Sequence, residues 1–182
     1  VALGLGVLVA RDTDVARLSY VGHSLGATVG VPFVAADPRL RAAVLMAGTG
    51  DLSRGVWSLS PDAAYREAMA PFDGNRVVGQ VRADLLLQFG TRDAFIDRGT
   101  AERLIAAAPQ ARTIWYDADH SLSHQALRDR ATWLYERLAL ATPDPQWLDG
   151  VRLPARDRLR HRLAVPVVRL ARRLFARPAD LG

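Results

Sequence analysis

The stretch Gly22-His23-Ser24-Leu25-Gly26 lies where a predicted strand passes into a predicted helix. The run Leu18 to Val21 before it is short and contains β-prone side chains. The run Ala27 to Ala36 after it is apolar, contains many small residues and is long enough for a helix. The pentapeptide therefore predicts a sharp turn between strand and helix, with Ser24 at its tip.

A serine at the tip of such a turn is held in a strained backbone conformation, which leaves little space for side chains two positions before and after it. Gly22 and Gly26 meet that requirement. The turn also places the hydroxyl of Ser24 at the N-terminus of the following helix, where free amides and the helix dipole favour developing negative charge. Ser24 is therefore a candidate nucleophile, and the backbone amide of Leu25 is a candidate donor to an oxyanion.

A candidate carboxylate follows the next strongly apolar segment of the chain. The run Ala83 to Gly90 predicts a strand that is buried on both faces, and Asp93 comes three residues after it. Catalytic groups of open α/β sheets collect at the carboxyl ends of the strands, so Asp93 is well placed to orient a histidine. Asp97 is a nearby alternative, and Asp51, after a predicted strand over Ala42 to Ala47, is another.

A candidate base lies in the loop after the last predicted strand. Arg112 to Tyr116 predicts an edge-like strand, and a long amphipathic helix is predicted from about Ser121 to Leu140. His120 lies between them, where its imidazole can reach a serine and an aspartate from other loops. His124 is the alternative, but it falls in the first turn of the helix and is more typical of a solvated face. His23 favours a neutral packing or hydrogen-bonding role.

The three candidate residues occur along the chain in the order serine, aspartate, histidine. The segments Asp12 to Ala27, Leu87 to Asp93 and Asp119-His120 together resemble the α/β-hydrolase superfamily, and more narrowly its dienelactone-hydrolase-like and prolyl-oligopeptidase-like members. The resemblance covers about Val1 to Leu140. It implies an α/β fold in which helices flank a mostly parallel sheet.

The resemblance also implies a chemistry. It assigns Ser24 as nucleophile, His120 as base and Asp93 as acid, with the backbone of Leu25 as oxyanion donor. It implies a serine hydrolase that cleaves an ester or a related acyl bond through an acyl-enzyme, with a small-molecule acyl substrate and with no metal or organic cofactor. Acyl transfer to an alcohol and peptide cleavage would use the same groups.

The position of the turn in the chain departs from that family. The serine normally follows several strands and helices, yet Ser24 is near the start of this sequence. We therefore expect residues 1–142 to form the catalytic core without its N-terminal strands, with Val1 to Ala10 as the end of a preceding helix. The family's second oxyanion amide, from a loop after an early strand, has no counterpart in the sequence. A different hypothesis is a catalytically silent module that binds a partner or a membrane surface.

Composition narrows the class of protein. The chain has 182 residues, 49% of them hydrophobic, which suits one domain with a moderate core. Cysteine is absent, so a disulfide framework and a cysteine-based metal site are excluded. The four histidines and the scattered carboxylates show no metal-ligand spacing, and no apolar run is long enough to span a bilayer.

An insertion between two predicted strands is a candidate substrate-binding cap. We expect a small cap over residues 49–80, with a short helix from Pro61 to Met69. Large side chains of this segment are candidates to line an acyl pocket above Ser24, because ligand pockets are mostly apolar. The alternative is that they pack the cap onto the sheet. These residues are Trp57, Tyr65 and Met69, with Leu59 and Phe72.

The last forty residues differ in charge from the rest. Residues 143–182 contain nine arginines and four aspartates, which equals the formal net charge of +5 of the whole chain. Apolar residues recur there at helical spacing, so a basic amphipathic helical tail is expected, with a break or kink at Pro166. Packing on the chain's own body or on a protein partner is favoured over contact with a membrane surface. Nucleic-acid binding is not expected, because no recognition motif accompanies the charge.

Overall fold

A computed structural model describes residues 14–52, 63–142 and 144–150, together with residues 166, 167 and 170. Within these residues, four strands form one sheet in which every neighbouring pair is parallel. The strands follow one another across the sheet in chain order. They are β1 Ser19–His23, β2 Ala42–Met46, β3 Asp84–Gly90 and β4 Arg112–Tyr116.

Five helices are described: α1 Leu25–Ala36, α2 Ala63–Met69, α3 Arg98–Ala107, α4 His124–Arg137 and α5 Pro145–Gly150. Helices cover both faces of the sheet: α1 and α3, which connect strands, pack on one face, and α4, which follows β4, packs on the other. Parallel strands require such crossover connections, and their carboxyl ends then lie at one edge of the sheet. The predicted parallel sheet flanked by helices is confirmed.

Alternation along the strands divides the core into two layers. Leu45, Leu87 and Phe89 point to the face covered by α1 and α3. Val44 and Leu86 point to the opposite face, where Ala126 and Trp133 of α4 pack against them. Every residue of β2 is buried, and the sequence of that strand is accordingly apolar throughout. Burying one such large side chain contributes about 1.5–3 kcal/mol.

The strand predictions agree with the structure to within one or two residues, but the helix after β4 is shorter than predicted. It begins at His124, not at Ser121, because Leu122 has a φ of 61°. That left-handed conformation is incompatible with helix, and Ser123 then caps α4 by accepting a bond from the amide of Ala126 at 3.2 Å. Ala139, with a φ of 50°, follows the end of the helix in the same way.

The predicted cap is described in part. The helix predicted over Pro61 to Met69 is observed as α2, Ala63–Met69, and the first two positions lie outside the described residues. Three short 3₁₀ turns lead from α2 to β3, and they are Ala70–Phe72, Gly74–Arg76 and Val78–Gln80. Val78 is fully buried in the core layer between the sheet and helices α1 and α3, which fixes this connection to the sheet.

The predicted basic tail lies mostly outside the described residues, as does the segment Val1 to Ala10. Within the tail, α5 is described, and the carbonyl of its buried Leu148 accepts a hydrogen bond from Nε2 of His124 at 2.7 Å. Val167 and Leu170 are exposed. None of the described helices combines the length and the apolar character that a membrane-crossing helix needs.

Candidate active site

Ser24 occupies the tip of the turn between β1 and α1. Its φ of 56° and ψ of −119° lie in a region that costs a non-glycine residue about 1–3 kcal/mol. Hydrogen bonds around the turn hold this conformation. The amide of Ser24 donates to the carbonyl of Met46 at 2.9 Å, and the Ser24 carbonyl accepts from the amide of Thr28 at 3.0 Å. The hydroxyl makes no capping bond to α1 and is turned to the loops beside it.

The two glycines around Ser24 differ in what they provide. A Cβ at Gly22 would lie 2.6 Å from the carbonyl oxygen of Gly26 and 2.8 Å from the ring of Tyr20. A Cβ at Gly26 would meet nothing within 4 Å. The expectation that both positions lack space is therefore wrong for Gly26. Gly22 is the position where the turn excludes a side chain.

Asp93 lies in the loop after β3, and both of its carboxylate oxygens accept hydrogen bonds. Oδ1 accepts from the amides of Phe95 at 2.7 Å and Ile96 at 3.0 Å. Oδ2 lies 2.7 Å from Nδ1 of His120. The side chain is 2% exposed. The carboxylate is thus fixed in orientation by its own loop and is shielded from water on the side of the histidine.

His120 lies in the loop between β4 and α4 and joins Asp93 to Ser24. Its Nε2 is 2.7 Å from Oγ of Ser24, and its Nδ1 faces the carboxylate of Asp93. Because a carboxylate accepts, Nδ1 carries the proton and the lone pair of Nε2 is free to accept the serine hydroxyl. The imidazole is buried. The structure therefore brings together the three side chains that the sequence indicated, in an arrangement suited to proton transfer from Ser24.

The alternative carboxylates and histidine have other roles in the structure. Asp97 caps α3, where Oδ1 accepts from the amide of Thr100 at 2.8 Å. Asp51 follows β2, and its backbone amide donates to the hydroxyl of Thr49 at 3.0 Å. His124 joins α4 to α5. The carboxylate of Asp93 is hydrogen-bonded to the ring of His120.

Among the described residues, the rings of Phe95 and His23 lie beside the imidazole of His120. The ring of Phe95 lies with its centroid 4.8 Å from that of His120, and the ring of His23 lies at 5.0 Å. Phe95 was not among the candidates, although its place two residues after Asp93 was a signal. Since Phe95 is partly exposed, it presents an apolar wall beside the buried histidine.

The amide of Leu25 is the first of α1. An amide at this position has no acceptor within its own helix, so it is available to a ligand or an oxyanion. The side chain of Leu25 points outward and is 52% exposed. The structure thus places the expected donor next to Ser24, at the positive end of a 12-residue helix.

The candidate substrate-binding residues are described only in part. Trp57 lies outside the described residues. Tyr65 lies on α2, is 40% exposed, and donates from its hydroxyl to the carbonyl of Leu52 at 3.3 Å. Met69 ends α2 and is half-buried. A role of these three residues in an acyl pocket stays a prediction.

A buried polar network supports the loop that carries His120. Nε2 of Gln88 donates to the hydroxyl of Tyr116 at 2.8 Å, and that hydroxyl donates to Oδ2 of Asp129 at 2.9 Å. Burial, first, and then the bond to Asp129 raise the pKa of Tyr116 above its ordinary value. The neutral phenol therefore connects β3 and α4 at the end of β4, four residues before His120.

The described part of the chain contains no cluster of three or more histidine, aspartate and glutamate side chains that could hold a metal ion. The groups around Ser24 are a hydroxyl, an imidazole, a carboxylate and a backbone amide. Groups of these types, so arranged, can support nucleophilic attack assisted by a general base.

No protein-family model matches the sequence, and no curated protein matches it either. Solved structures do. A puromycin-hydrolysing peptidase of Mycobacterium tuberculosis is similar with a TM-score of 0.64 and 17% identity, over 77% of this chain and 25% of that one. The esterase domain of a Rhodothermus marinus protein is similar with a TM-score of 0.52 and 21% identity, over 66% of this chain and 58% of the other.

An enol-lactonase of Burkholderia xenovorans LB400 is also similar, with a TM-score of 0.52 and 16% identity, over 75% of this chain and 70% of that chain. The chain thus spans about a quarter of the length of the peptidase and over half of the two smaller proteins. The likeness confirms the predicted fold: the four-stranded parallel sheet with its flanking helices matches part of an α/β-hydrolase fold.

Proposed function

We propose that this chain is a serine hydrolase that cleaves an ester or a related acyl bond through a Ser24-His120-Asp93 triad and an acyl-enzyme. The observation that carries the proposal is the continuous hydrogen-bonded chain from Asp93 through His120 to Ser24, with 2.7 Å at each step. These residues come from three separate loops at the carboxyl edge of the sheet, 27 and 96 positions apart. Such an arrangement does not follow from local sequence.

In the first half of the reaction, Oγ of Ser24 attacks the carbonyl carbon of the substrate. Nε2 of His120 takes the hydroxyl proton as the new bond forms. Asp93 holds the imidazole with Nδ1 protonated and stabilises the imidazolium. The imidazolium then gives its proton to the leaving oxygen, which departs as an alcohol and leaves the acyl group on Ser24.

The negative charge that develops on the carbonyl oxygen needs donors. The amide of Leu25 is placed to give one, and the N-terminus of α1 adds a favourable dipole. One such donor contributes about 2.7–4 kcal/mol to the transition state in serine hydrolases. In the second half, His120 activates a water molecule in the same way, and the acid is released from Ser24.

The similar structures give support to two substrate classes. The esterase domain and the enol-lactonase match over 58% and 70% of their lengths, which favours an ester or lactone. The puromycin-hydrolysing peptidase has the higher TM-score, 0.64, which makes an amide bond the second candidate. Both classes use the same nucleophile, and the leaving group separates them.

The proposal is tested by the hydrolysis of p-nitrophenyl acetate and butyrate with the full chain. We expect turnover that Ser24→Ala and His120→Ala abolish. Ser19→Ala, on the exposed start of β1, and His124→Ala, on α4, are the matched controls and should retain activity. Turnover that survives in Ser24→Ala would contradict the proposal.

The leaving group is tested in parallel with aminoacyl p-nitroanilides. Faster hydrolysis of the esters, after correction for their greater intrinsic reactivity, supports an esterase. Preference for the anilides would assign the site to amide bonds. A folded chain that is inactive on both would favour the hypothesis of a silent interaction module.

A further inference from the structure

His23 connects the turn that carries Ser24 to the backbone of the residue proposed as the base. It is the last residue of β1 and the immediate neighbour of Ser24. Its Nε2 lies 2.7 Å from the carbonyl oxygen of His120, which is 97 positions away in the chain. A bond from a side chain to the main chain of His120 acts on the position of the whole loop.

The chemistry of this contact shows that Nε2 of His23 carries a proton. A carbonyl oxygen only accepts hydrogen bonds, so Nε2 of His23 must carry a proton and donate it. The neutral tautomer that meets this condition has its proton on Nε2. His23 and His120 thus differ in tautomer, since Nδ1 of His120 is the atom that faces the carboxylate of Asp93.

The loop of His120 is held at two sides by hydrogen bonds of different origin. On the side of Asp93, the amide of Arg92 donates to the carbonyl of Ala118 at 2.9 Å. On the side of Ser24, the bond from His23 reaches the carbonyl of His120. The imidazole of His120 contacts both Asp93 and Ser24, and each of the two bonds ties its loop to the side on which one of these contacts is made.

The ring of His23 also packs against the ring that it positions. The two centroids are 5.0 Å apart, with 53° between the ring planes. Phe95 contacts the imidazole of His120 at 4.8 Å. His23 therefore combines two features, a ring that fills space and a donor at Nε2, and a substitution can separate them.

We propose that His23 is a positioning residue, which holds the loop of His120 at the distance from Ser24 that proton transfer requires, by donating from Nε2 to the carbonyl of His120. The role rests on the proposed function of Ser24 and His120. His23 does not exchange a proton with the substrate in this role. Its action is on the placement of the imidazole.

Two substitutions distinguish the donor from the ring. His23→Gln keeps a donor near the position of Nε2, and His23→Phe keeps an aromatic ring without a donor. The matched controls are His124→Gln and His124→Phe, because His124 also donates from Nε2 to a backbone carbonyl at 2.7 Å, between α4 and α5. Loss of that bond should leave the loop of His120 in place.

The first readout does not depend on activity. The proton on Nδ1 of His120, bonded to Asp93, is followed by NMR in the full chain with ¹⁵N-labelled histidine. We expect its low-field signal to be lost or broadened in His23→Phe, to return in His23→Gln, and to be unchanged in both His124 variants. An unchanged signal in His23→Phe, in a folded protein, would overturn the proposal.

The second readout is the hydrolysis of p-nitrophenyl butyrate. Misplacing a reacting group by about 1 Å costs up to about 100-fold in rate, so we expect kcat to fall about 10- to 100-fold in His23→Phe with KM little changed. In His23→Gln most of the rate should return. Equal losses in the two variants would overturn the proposal, since the donor would then have no part. If the NMR signals change as expected but the protein does not hydrolyse the ester, the result would support the positioning role of His23 and count against the proposed hydrolase function.

Discussion

Gly22 shows how closely one residue determines the turn at Ser24. The chain turns so tightly there that a Cβ at Gly22 would lie 2.6 Å from the carbonyl oxygen of Gly26. Any side chain at Gly22 must displace the main chain of α1 or the ring of Tyr20. The strained backbone of Ser24 depends on the close packing of Gly22 against Gly26 and Tyr20. A residue without a Cβ at position 22 is therefore needed for the conformation of Ser24.

The two glycines of the turn should respond differently to alanine. Gly22→Ala overpacks the turn, and we expect a loss of about 1–3 kcal/mol in the free energy of unfolding. Gly26→Ala lies in open space on a helix, where alanine is favoured over glycine by up to about 1 kcal/mol, so stability should be kept or increased. Urea denaturation of the two variants measures both. Equal losses would show that the turn does not have the described packing.

Asp93 is the residue whose carboxylate contacts Nδ1 of His120. Asp93→Asn preserves the acceptor for the amides of Phe95 and Ile96, but its amide group favours the wrong tautomer of His120. We expect kcat on p-nitrophenyl butyrate to fall by about 10³- to 10⁴-fold while the far-UV circular dichroism spectrum is unchanged. Retention of more than a tenth of the rate would show that Asp93 does not orient His120.

The elements of the structure differ in how well the sequence predicts them. The buried strands β2 and β3 were predictable, because residues covered on both faces leave an apolar run in the sequence. The start of α4 was not, because nothing in the identity of Leu122 indicates its positive φ. Phe95 was missed for a related reason, since its contact with His120 depends on how the loop after Asp93 folds back.

The cap of α3 gives a prediction at the scale of an element. Asp97 was an alternative to Asp93 in the sequence, but in the structure it accepts from the amide of Thr100. Asp97→Ala should therefore cost about 0.5–2 kcal/mol of stability, as the loss of an N-cap does, and should leave esterase activity unchanged. The free energy of unfolding and kcat/KM, measured on the same preparation, check both parts. A loss of activity without a loss of stability would reverse the roles of the two aspartates.

The three proposed catalytic residues lie beside one parallel sheet that has a core layer on each face. Ser24 follows β1, Asp93 follows β3 and His120 follows β4, so their contacts require that these strands keep their register. The order of serine, aspartate and histidine in the sequence allowed the fold to be predicted and the three residues to be chosen as candidates. Distances between the loops could not be, since they depend on packing between segments that are remote in the chain.

The network around Tyr116 links the sheet to α4 and gives a prediction on pH. Because the pKa of Tyr116 is raised in the folded state, the folded chain holds this proton above pH 10.0, where an unfolded tyrosine loses it. The contribution to stability is complete below that pH and is lost as pH rises through the native pKa. We expect the free energy of unfolding to fall above about pH 10, and to fall less steeply in Tyr116→Phe. Urea denaturation across this range measures the two slopes, and equal slopes would contradict the burial of Tyr116 and its bond to Asp129.

Covalent labelling shows whether Ser24 is a nucleophile activated by His120, as proposed. The full chain is treated with a fluorophosphonate, digested with trypsin and analysed by fragment mass spectrometry, which distinguishes Ser24 from Ser19 in the same peptide. We expect one adduct on Ser24, absent from Ser24→Ala and from His120→Ala and unchanged in Ser19→Ala. A folded chain without an adduct on Ser24, or with equal labelling in His120→Ala, would contradict the proposal.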